Sequence, residues 1–429
     1  MTHLTIWGGA GEHGRSSYLL QHEDQALLLD CGGKKERGGQ YPLIGEEVLP
    51  HLKAVFLSHA HEDHSMAIPL LYKHGFKGQV WTTRATAQQL PLYFQTWNRY
   101  ARSQSIDLPY DDRHIDAIDY VFLEDKSAAG DWIEVFPGLR MKWGRSGHLP
   151  GSVWFVLNWA GKLIYFSGDY TEESGLLAAD RPVLLQGAQQ QAYADLAIID
   201  AAYGADPDSQ AVGLMELEKV TRETLRHNGT VLYPVPTYGR GQELLVWASE
   251  IFPEADLIVE QVLMEQLHQL AAMPDWLHDN ALARIEALLA CGRLHIVAEE
   301  GEREQALSRS EGAIIFTDDG MMQSETAQWY YKRLANSTYN TILMTGHLAA
   351  GSYGELLLRK NSIGAQVHHV RYKVHQGLPD VRNMLEWVPS RATVLAHASK
   401  TRTDRLLTVL RHEGHHMLHS LCPGETLPF

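Results

Sequence analysis

Leu57-Ser58-His59-Ala60-His61-Glu62-Asp63-His64-Ser65 is the stretch on which the reading of this 429-residue chain turns. It sets three imidazoles and two carboxylates within six positions, directly after the apolar run Ala54-Val55-Phe56-Leu57. Such a run reads as a buried strand. The cluster therefore stands where a strand stops and a loop begins, the place where rigid scaffolds carry chemistry. Alternation along an extended backbone puts His59 and His61 on one side, and a helix starting next turns Asp63 and His64 toward the same cavity. Imidazole nitrogen and carboxylate oxygen suit zinc and similar divalent ions. With 23 histidines in the chain, a solvated loop would account for one neighbouring pair. It does not account for His-x-His-x-Asp-His at the end of a hydrophobic strand.

Other segments repeat the pattern. Ser146-Gly147-His148-Leu149-Pro150-Gly151-Ser152 holds His148 in a glycine-flanked turn, and Leu163-Ile164-Tyr165-Phe166-Ser167-Gly168-Asp169 brings Asp169 off an apolar run. Leu196-Ala197-Ile198-Ile199-Asp200 does the same for Asp200, and Ala392-Thr393-Val394-Leu395-Ala396-His397 for His397. Val370 to Val374 reads as a strand leading to His375. Each signal alone is weak, since Ser-Gly-Asp is usually a turn. Strand after strand ending in a ligand type describes one active-site edge.

Between these segments lies a different region. From Asp206 to about Arg371, helical patterns (Leu214–His227, Gln242–Ile251, Val262–Leu270, Asp275–Leu289) alternate with short apolar strands at 230–233, 257–259, 313–316 and 341–344. This is the pattern of a parallel α/β unit. Near the start, Gly8 to Ser16 is glycine-rich, but a strand follows it, so a dinucleotide fingerprint fails its context test. Its glycines instead permit close approach of backbone to a site, with Arg15 nearby. Asp107–Asp119 reads as an acidic turn region, and the tail from His412 to Phe429 as a frayed helix end and terminus.

Composition bounds the function. Hydrophobic content of 45% and charged content of 21% fit a globular chain with a sizeable core. No stretch is apolar enough to span a bilayer, and the N-terminus lacks the basic start and apolar core of a signal peptide. The three cysteines, Cys31, Cys291 and Cys422, lie far apart, which argues for a reducing, cytoplasmic setting. The net charge of −15 argues against a protein that coats nucleic acid without specificity, though not against a nuclease with a local basic cleft.

His59-x-His61-x-Asp63-His64 followed by His148, Asp169 and His397 resembles the metal-binding motifs of the metallo-β-lactamase superfamily. Asp200, His375 and His397 resemble motifs A, B and C of its nucleic-acid-cleaving β-CASP branch. Tyr233-Pro234-Val235-Pro236-Thr237-Tyr238-Gly239-Arg240-Gly241-Gln242-Glu243-Leu244 is similar to that branch's Pro-x-x-x-x-Gly-Arg-x-Gln-Glu-Leu segment. Thr317 to Met322 and the turn Thr345-Gly346-His347 with Gly351-Ser352-Tyr353-Gly354 match further landmarks. The chain departs from the family at Gly377, at Ala398-Ser399 and in the shorter carboxylate at Asp200.

The resemblance implies an α/β fold: a metallo-β-lactamase αββα sandwich over 1–205 and 371–429, with an α/β β-CASP domain inserted at 206–370. It implies two divalent ions, zinc in first place and manganese in second. His59, His61 and His148 would hold one ion, Asp63, His64 and His397 the other, with Asp169 bridging. Asp63, His375 and Asp200 would carry the chemistry, and Arg240, Gly346 and Ser352 would meet substrate. The expected substrate is nucleic acid, RNA before DNA, cut endo- or exonucleolytically, with no membrane involved and a homodimer left open. A DNA nuclease of the same fold, a metallo-hydrolase of a small ester or thioester, and an impaired binding subunit are the alternatives. An inserted domain argues against a small substrate, and the intact ligand set against an impaired subunit.

Overall fold

A computed structural model describes residues 2–36, 38–184, 193–310, 312–359 and 364–429. The chain forms two compact units: Met1–Glu172 with Ala178–Pro207 and His375–Phe429, and Glu173–Leu177 with Asp208–Val374.

The first unit opens with β1 (Thr2–Gly8), β2 (Ser17–His22), β3 (Gln25–Leu29), β4 (Leu52–Phe56), β5 (Gln79–Thr82) and β6 (Tyr120–Phe122). It continues with β7 (Ile133–Phe136), β8 (Leu139–Arg145), β9 (Val153–Trp159), β10 (Lys162–Phe166) and β11 (Leu196–Asp200). The second unit holds β12 (Val231–Pro234), β13 (Asp256–Glu260), β14 (Leu294–Val297), β15 (Ala313–Thr317), β16 (Thr341–Met344) and β17 (Gln366–His369). The chain then returns to the first unit with β18 (Thr393–Ala396), β19 (Leu418–His419) and β20 (Thr426–Pro428).

Among the described residues, the first unit contains two seven-stranded sheets, ordered β20-β1-β2-β3-β4-β5-β6 and β19-β18-β11-β10-β9-β8-β7. Aromatic pairs join their inner faces, Phe56 with Phe155 at 5.6 Å and Tyr18 with Phe166 at 5.5 Å. The helices Ile68–Lys73 and Arg84–Ser103 bury Leu71, Leu90, Phe94 and Trp97 with Val55 of the first sheet. Leu378–Trp387 and Lys400–His412 bury Val381, Met384, Leu406 and Leu410 with Val156 and Tyr165 of the second. This is an αββα sandwich. The consecutive apolar residues of β4, β10, β11 and β18 follow from burial on both faces.

The second unit is a six-stranded, wholly parallel sheet ordered β14-β13-β15-β12-β16-β17, with an apolar core on each face. The five-residue segment Glu173–Leu177 belongs to this unit, although it lies far from the rest in sequence. Buried Glu243 holds it: Ser174 Oγ donates to one carboxylate oxygen at 2.7 Å and the Gly175 amide to the other at 2.8 Å, beside the Tyr372 hydroxyl.

Several expectations change. No strand precedes His375; β17 ends at His369, and Tyr372 and Lys373 instead donate to Thr345 O at 2.9 Å and Gln210 Oε1 at 2.8 Å. The helix expected over Asp275–Leu289 begins only at Ala281, because Leu277 forms a bridge with Leu177 and the His278 amide donates to Leu176 O at 2.9 Å. The tail is not frayed: β19 extends one sheet and β20 the other, where backbone donors and acceptors of β1 need partners. The acidic stretch contains a short helix, Asp112–Asp116, capped by Asp111. Lys373, just before His375, is buried against Glu173.

Glu243→Ala strands the buried donors of Ser174, Gly175 and Tyr372. Urea unfolding is expected to show a loss of about 3 kcal/mol or more, from ~1–3 kcal/mol for each unsatisfied group.

Candidate metal centre

Five strands of the first unit end at one place. β4 leads through Leu57 and Ser58 to His59 and His61, after which the helix Glu62–Ser65 carries Asp63 and His64. β8 runs into the turn of His148, β10 into Asp169, β11 ends on Asp200, and β18 runs into His397. His397 sits at φ 60°, a strained conformation for a non-glycine residue. Its amide is held by Gly9 O at 2.6 Å. Gly9 must be glycine, since a Cβ there would lie 2.6 Å from both Ser16 Cα and the Tyr18 hydroxyl. The glycine-rich loop thus buttresses the site, while the Arg15 guanidinium is taken by Glu12 at 2.6 Å and Tyr41 O at 2.9 Å.

Three groups of potential ligand atoms gather within 4.8 Å of one another: His59, His61, His148 and Asp169; Asp63, His64 and His397; and Asp169, Asp200, His375 and His397. His61 Nδ1 lies 3.1 Å from both His59 Nε2 and His148 Nε2. Burial, reinforced by neighbouring imidazoles, holds His59 well below its usual pKa. Burial likewise lowers His61 to about 3, against the pull of Asp63. These rings are neutral, the form that ligates metal.

The carboxylate side differs. Asp169 is 2% exposed, and five imidazoles lie 3.4–3.7 Å from its oxygens: those of His59, His64, His148, His375 and His397. Neither oxygen accepts a hydrogen bond among the described residues, and His397 Nδ1 also has no hydrogen-bond partner there. Burial raises the Asp169 carboxyl, with the imidazoles of His397, His64 and His375 opposing. For His64, burial opposes the charge but Asp169, Asp63 and Asp30 outweigh it and raise the ring to about 9. A buried carboxylate with bare oxygens amid imidazoles is a donor set that fits divalent cations.

Asp30 was not among the expected site residues. Fully buried at the end of β3, it accepts from the Ser58 amide and the Ser58 hydroxyl, each at 2.7 Å, and from His64 Nδ1 at 2.6 Å. The Ser58 oxygen then accepts from His59 Nδ1 at 3.0 Å. One carboxylate so takes the Nδ1 side of two rings, directly and through Ser58, and leaves Nε2 as the atom of each that can serve as a ligand. The run Ala26-Leu27-Leu28-Leu29-Asp30 carries the same strand-plus-carboxylate signal as Asp169 and Asp200.

On the other side, Asp200 Oδ2 accepts from His375 Nδ1 at 3.0 Å, and its Oδ1 takes the Ala202 amide at 2.9 Å. Burial pushes the Asp200 carboxyl up, but His375 and His397 outweigh it and hold it below the usual range. The His375 ring lies 4.8 Å from that of His148, 5.0 Å from His397 and 5.5 Å from Tyr203. Tyr93 meets His61 edge-on at 5.6 Å. Neither tyrosine was anticipated, since nothing in its local sequence marks it. Glu62 belongs to none of the three ligand groups and pairs with Lys35 at 2.7 Å.

Arg240, Gly346 and Ser352 belong to the second unit. A Cβ on Gly346 would lie 2.4 Å from Arg240 Nη2, so the guanidinium packs on this glycine rather than on Glu243. Ser352 Oγ accepts the Glu355 amide at 3.4 Å, at the start of the helix Tyr353–Arg359.

The family profile of the metallo-beta-lactamase superfamily matches residues 10–227, and that of the Beta-Casp domain matches residues 242–357. The chain belongs to the metallo-β-lactamase superfamily and carries a β-CASP domain as its sequence insertion. Among curated relatives, it is similar to the transcription termination factor FttA of Methanothermobacter thermautotrophicus, at 27% identity over 90% of this chain and 64% of the relative. It is similar to the probable RNase MJ4 of Methanocaldococcus jannaschii, at 25% identity over 94% of each chain. With the endoribonuclease ysh1 of Emericella nidulans it shares 26% identity over 87% of this chain and 44% of the relative. The chain thus spans less than two thirds of FttA and under half of ysh1. A crystal structure of a protein of unknown function from Enterococcus faecalis V583 shares the fold, with a TM-score of 0.58 at 14% identity over 99% of both chains. Among the described residues, no helix is long and apolar enough to cross a membrane.

Asp30→Asn places an amide NH2 against either the donors of Ser58 or the Nδ1–H of His64. The expected loss in urea unfolding is about 2–3 kcal/mol, the penalty for a buried donor left facing a donor.

Proposed function

We propose that this chain is a two-metal nuclease that hydrolyses phosphodiester bonds of RNA. The observation that carries the reading is the bare, buried Asp169 carboxylate amid His59, His64, His148, His375 and His397, within a chain of this superfamily that carries a β-CASP domain. The RNA preference rests on the printed names of RNase MJ4 and the endoribonuclease ysh1.

His59, His61 and His148 would hold one divalent cation and Asp63, His64 and His397 the other, with Asp169 between them. The nitrogen-rich donor set favours zinc, with manganese the second candidate. Bound cations supply Lewis-acid charge for the phosphodiester and a hydrolytic nucleophile at neutral pH. The protein's own contribution is positional. Asp30 and Ser58 accept the Nδ1 protons of His64 and His59, so that the Nε2 of each ring would be the atom that meets a cation. Asp63, 2.9 Å from His397 Nε2, ties the loop after β4 to that after β18. Asp200 holds the proton on His375 Nδ1 and orients the ring, so that its Nε2 would face the substrate as the proton donor to the leaving oxygen. Arg240 over Gly346, with Ser352, is the candidate substrate contact of the second unit.

Metal analysis is expected to find close to two zinc-class ions per chain, and end-labelled single-stranded RNA to be cut in preference to DNA. Asp63→Asn should lose metal together with activity. His375→Ala should keep its metal and lower kcat by about 10²–10⁴-fold, the contribution of a positioned proton donor. A chain that binds no metal, or that cleaves a small ester and neither polymer, would refute the reading.

A further inference from the structure

Lys142 lies in the middle of β8, opposite Val156 of β9, and is 1% exposed. Strand alternation places it on the face of Trp154 and Val156, which is packed with Met384 and Leu406 of the covering helices. Its ammonium lies 5.2 Å from the ring centroid of Trp132, whose face it shares with Arg140 at the same distance. Among the described residues no carboxylate pairs with it and no group accepts a hydrogen bond from it. Burial alone depresses its basicity. An aromatic face offsets only part of what an ammonium loses on leaving water.

Lys142 lines a cavity of about 230 Å³, whose walls also include Gly130, Trp154, Asp180 and Arg181. Asp180 does not serve as counter-ion, because Arg145 engages it through its amide at 2.8 Å, Nε at 3.0 Å and Nη2 at 2.7 Å. Arg181 uses Nε on Glu172 at 2.9 Å and lies over Trp387 at 4.8 Å; its Nη donors have no partner among the described residues. At Gly130 a Cβ would meet nothing within 4 Å, so that wall is open.

We propose that this cavity is a binding site for an oxyanion of the phosphate class, held between the Lys142 ammonium and the Arg181 guanidinium. A tetrahedral dianion offers a charge and acceptor oxygens to each of the two cations. The bland alternative is a structural lysine that stays neutral in the core, and it gives Arg181 no part. The same chemistry is offered by free phosphate and by the phosphate of a mononucleotide. The site sits on the helix-covered face of the sheet, and the proposal does not depend on the nuclease reading.

The full-length chain, with Lys142→Met and Arg181→Gln variants, would be titrated with inorganic phosphate and separately with AMP at constant ionic strength, following the thermal midpoint. Phosphate bound at the metal centre contributes equally to all three proteins, so the difference between them reports this cavity. Each variant is expected to bind about ten-fold more weakly at this site, the loss of one charge-assisted hydrogen bond. In phosphate-free buffer Lys142→Met should be no less stable than the parent, because it removes an unpaired buried charge. A response to inorganic phosphate alone identifies a free anion, and a stronger one to AMP a nucleotide. Arg181 is 68% exposed, so its variant remains readable even if Lys142→Met misfolds. An anion response unchanged in either folded variant overturns the proposal.

Discussion

Asp169 is a buried carboxylate with no hydrogen-bond donor on either oxygen. Taken alone, such a group would give up its charge, and burial does push its carboxyl upward. Three further carboxylates, Asp30, Asp63 and Asp200, lie in the same part of the fold, which adds to the cost. The neighbouring imidazoles relieve it in part: His59 and His61 are held neutral, while His64 is raised to about 9 and His397 to about 10. A bound divalent cation would meet the rest. Five strand ends deliver ligand atoms to that one carboxylate.

Two carboxylates organise the rings on either side. Asp30, behind Ser58 and His64, sets tautomers and is fully buried. Asp200 does for His375 what Asp30 does for His64, yet His375 reaches the rim while His64 does not, with side chains 15% and 2% exposed. The same pairing therefore fixes one ring inside the site and one at its rim. Asp200 manages this with a shorter side chain than the family's glutamate, because β11 itself ends at the site and the carboxylate need only span 3.0 Å.

Much of this was legible in the sequence because burial and chemistry leave separate marks. An apolar run followed by His or Asp marks a strand end, and His59, Asp169, Asp200 and His397 all follow that rule. Asp30 follows it too, but with no second ligand type beside it the signal reads as a hairpin edge. His375 broke the rule: Val370–Val374 looks like a strand, yet its backbone is satisfied through Thr345 and Gln210, partners remote in sequence. The tail failed for a related reason. β20 is short and half-exposed, and only the unpaired edge of β1 makes it a strand. The break at Leu277 depends on Leu177, a hundred residues away in sequence. Local pattern reports what a residue is, and these elements are decided by what lies opposite.

Lys142 shows where motif reading stops. It occupies no family landmark, and on β8 it reads as one charged residue on an alternating strand. Only the folded structure reveals that the side chain is buried and that the acid lining the same cavity, Asp180, is already taken by Arg145. The logic is that of Asp169 with the sign reversed. A buried carboxylate without donors calls for a cation, and a buried ammonium without acceptors calls for an anion. The two charges differ in what surrounds them. Asp169 sits among imidazoles that can share a metal ion, while Lys142 lines a cavity together with a second cation and lies over an aromatic face. Arg181 spends Nε on Glu172 and lies over Trp387, and its remaining donors are those the proposed anion would use.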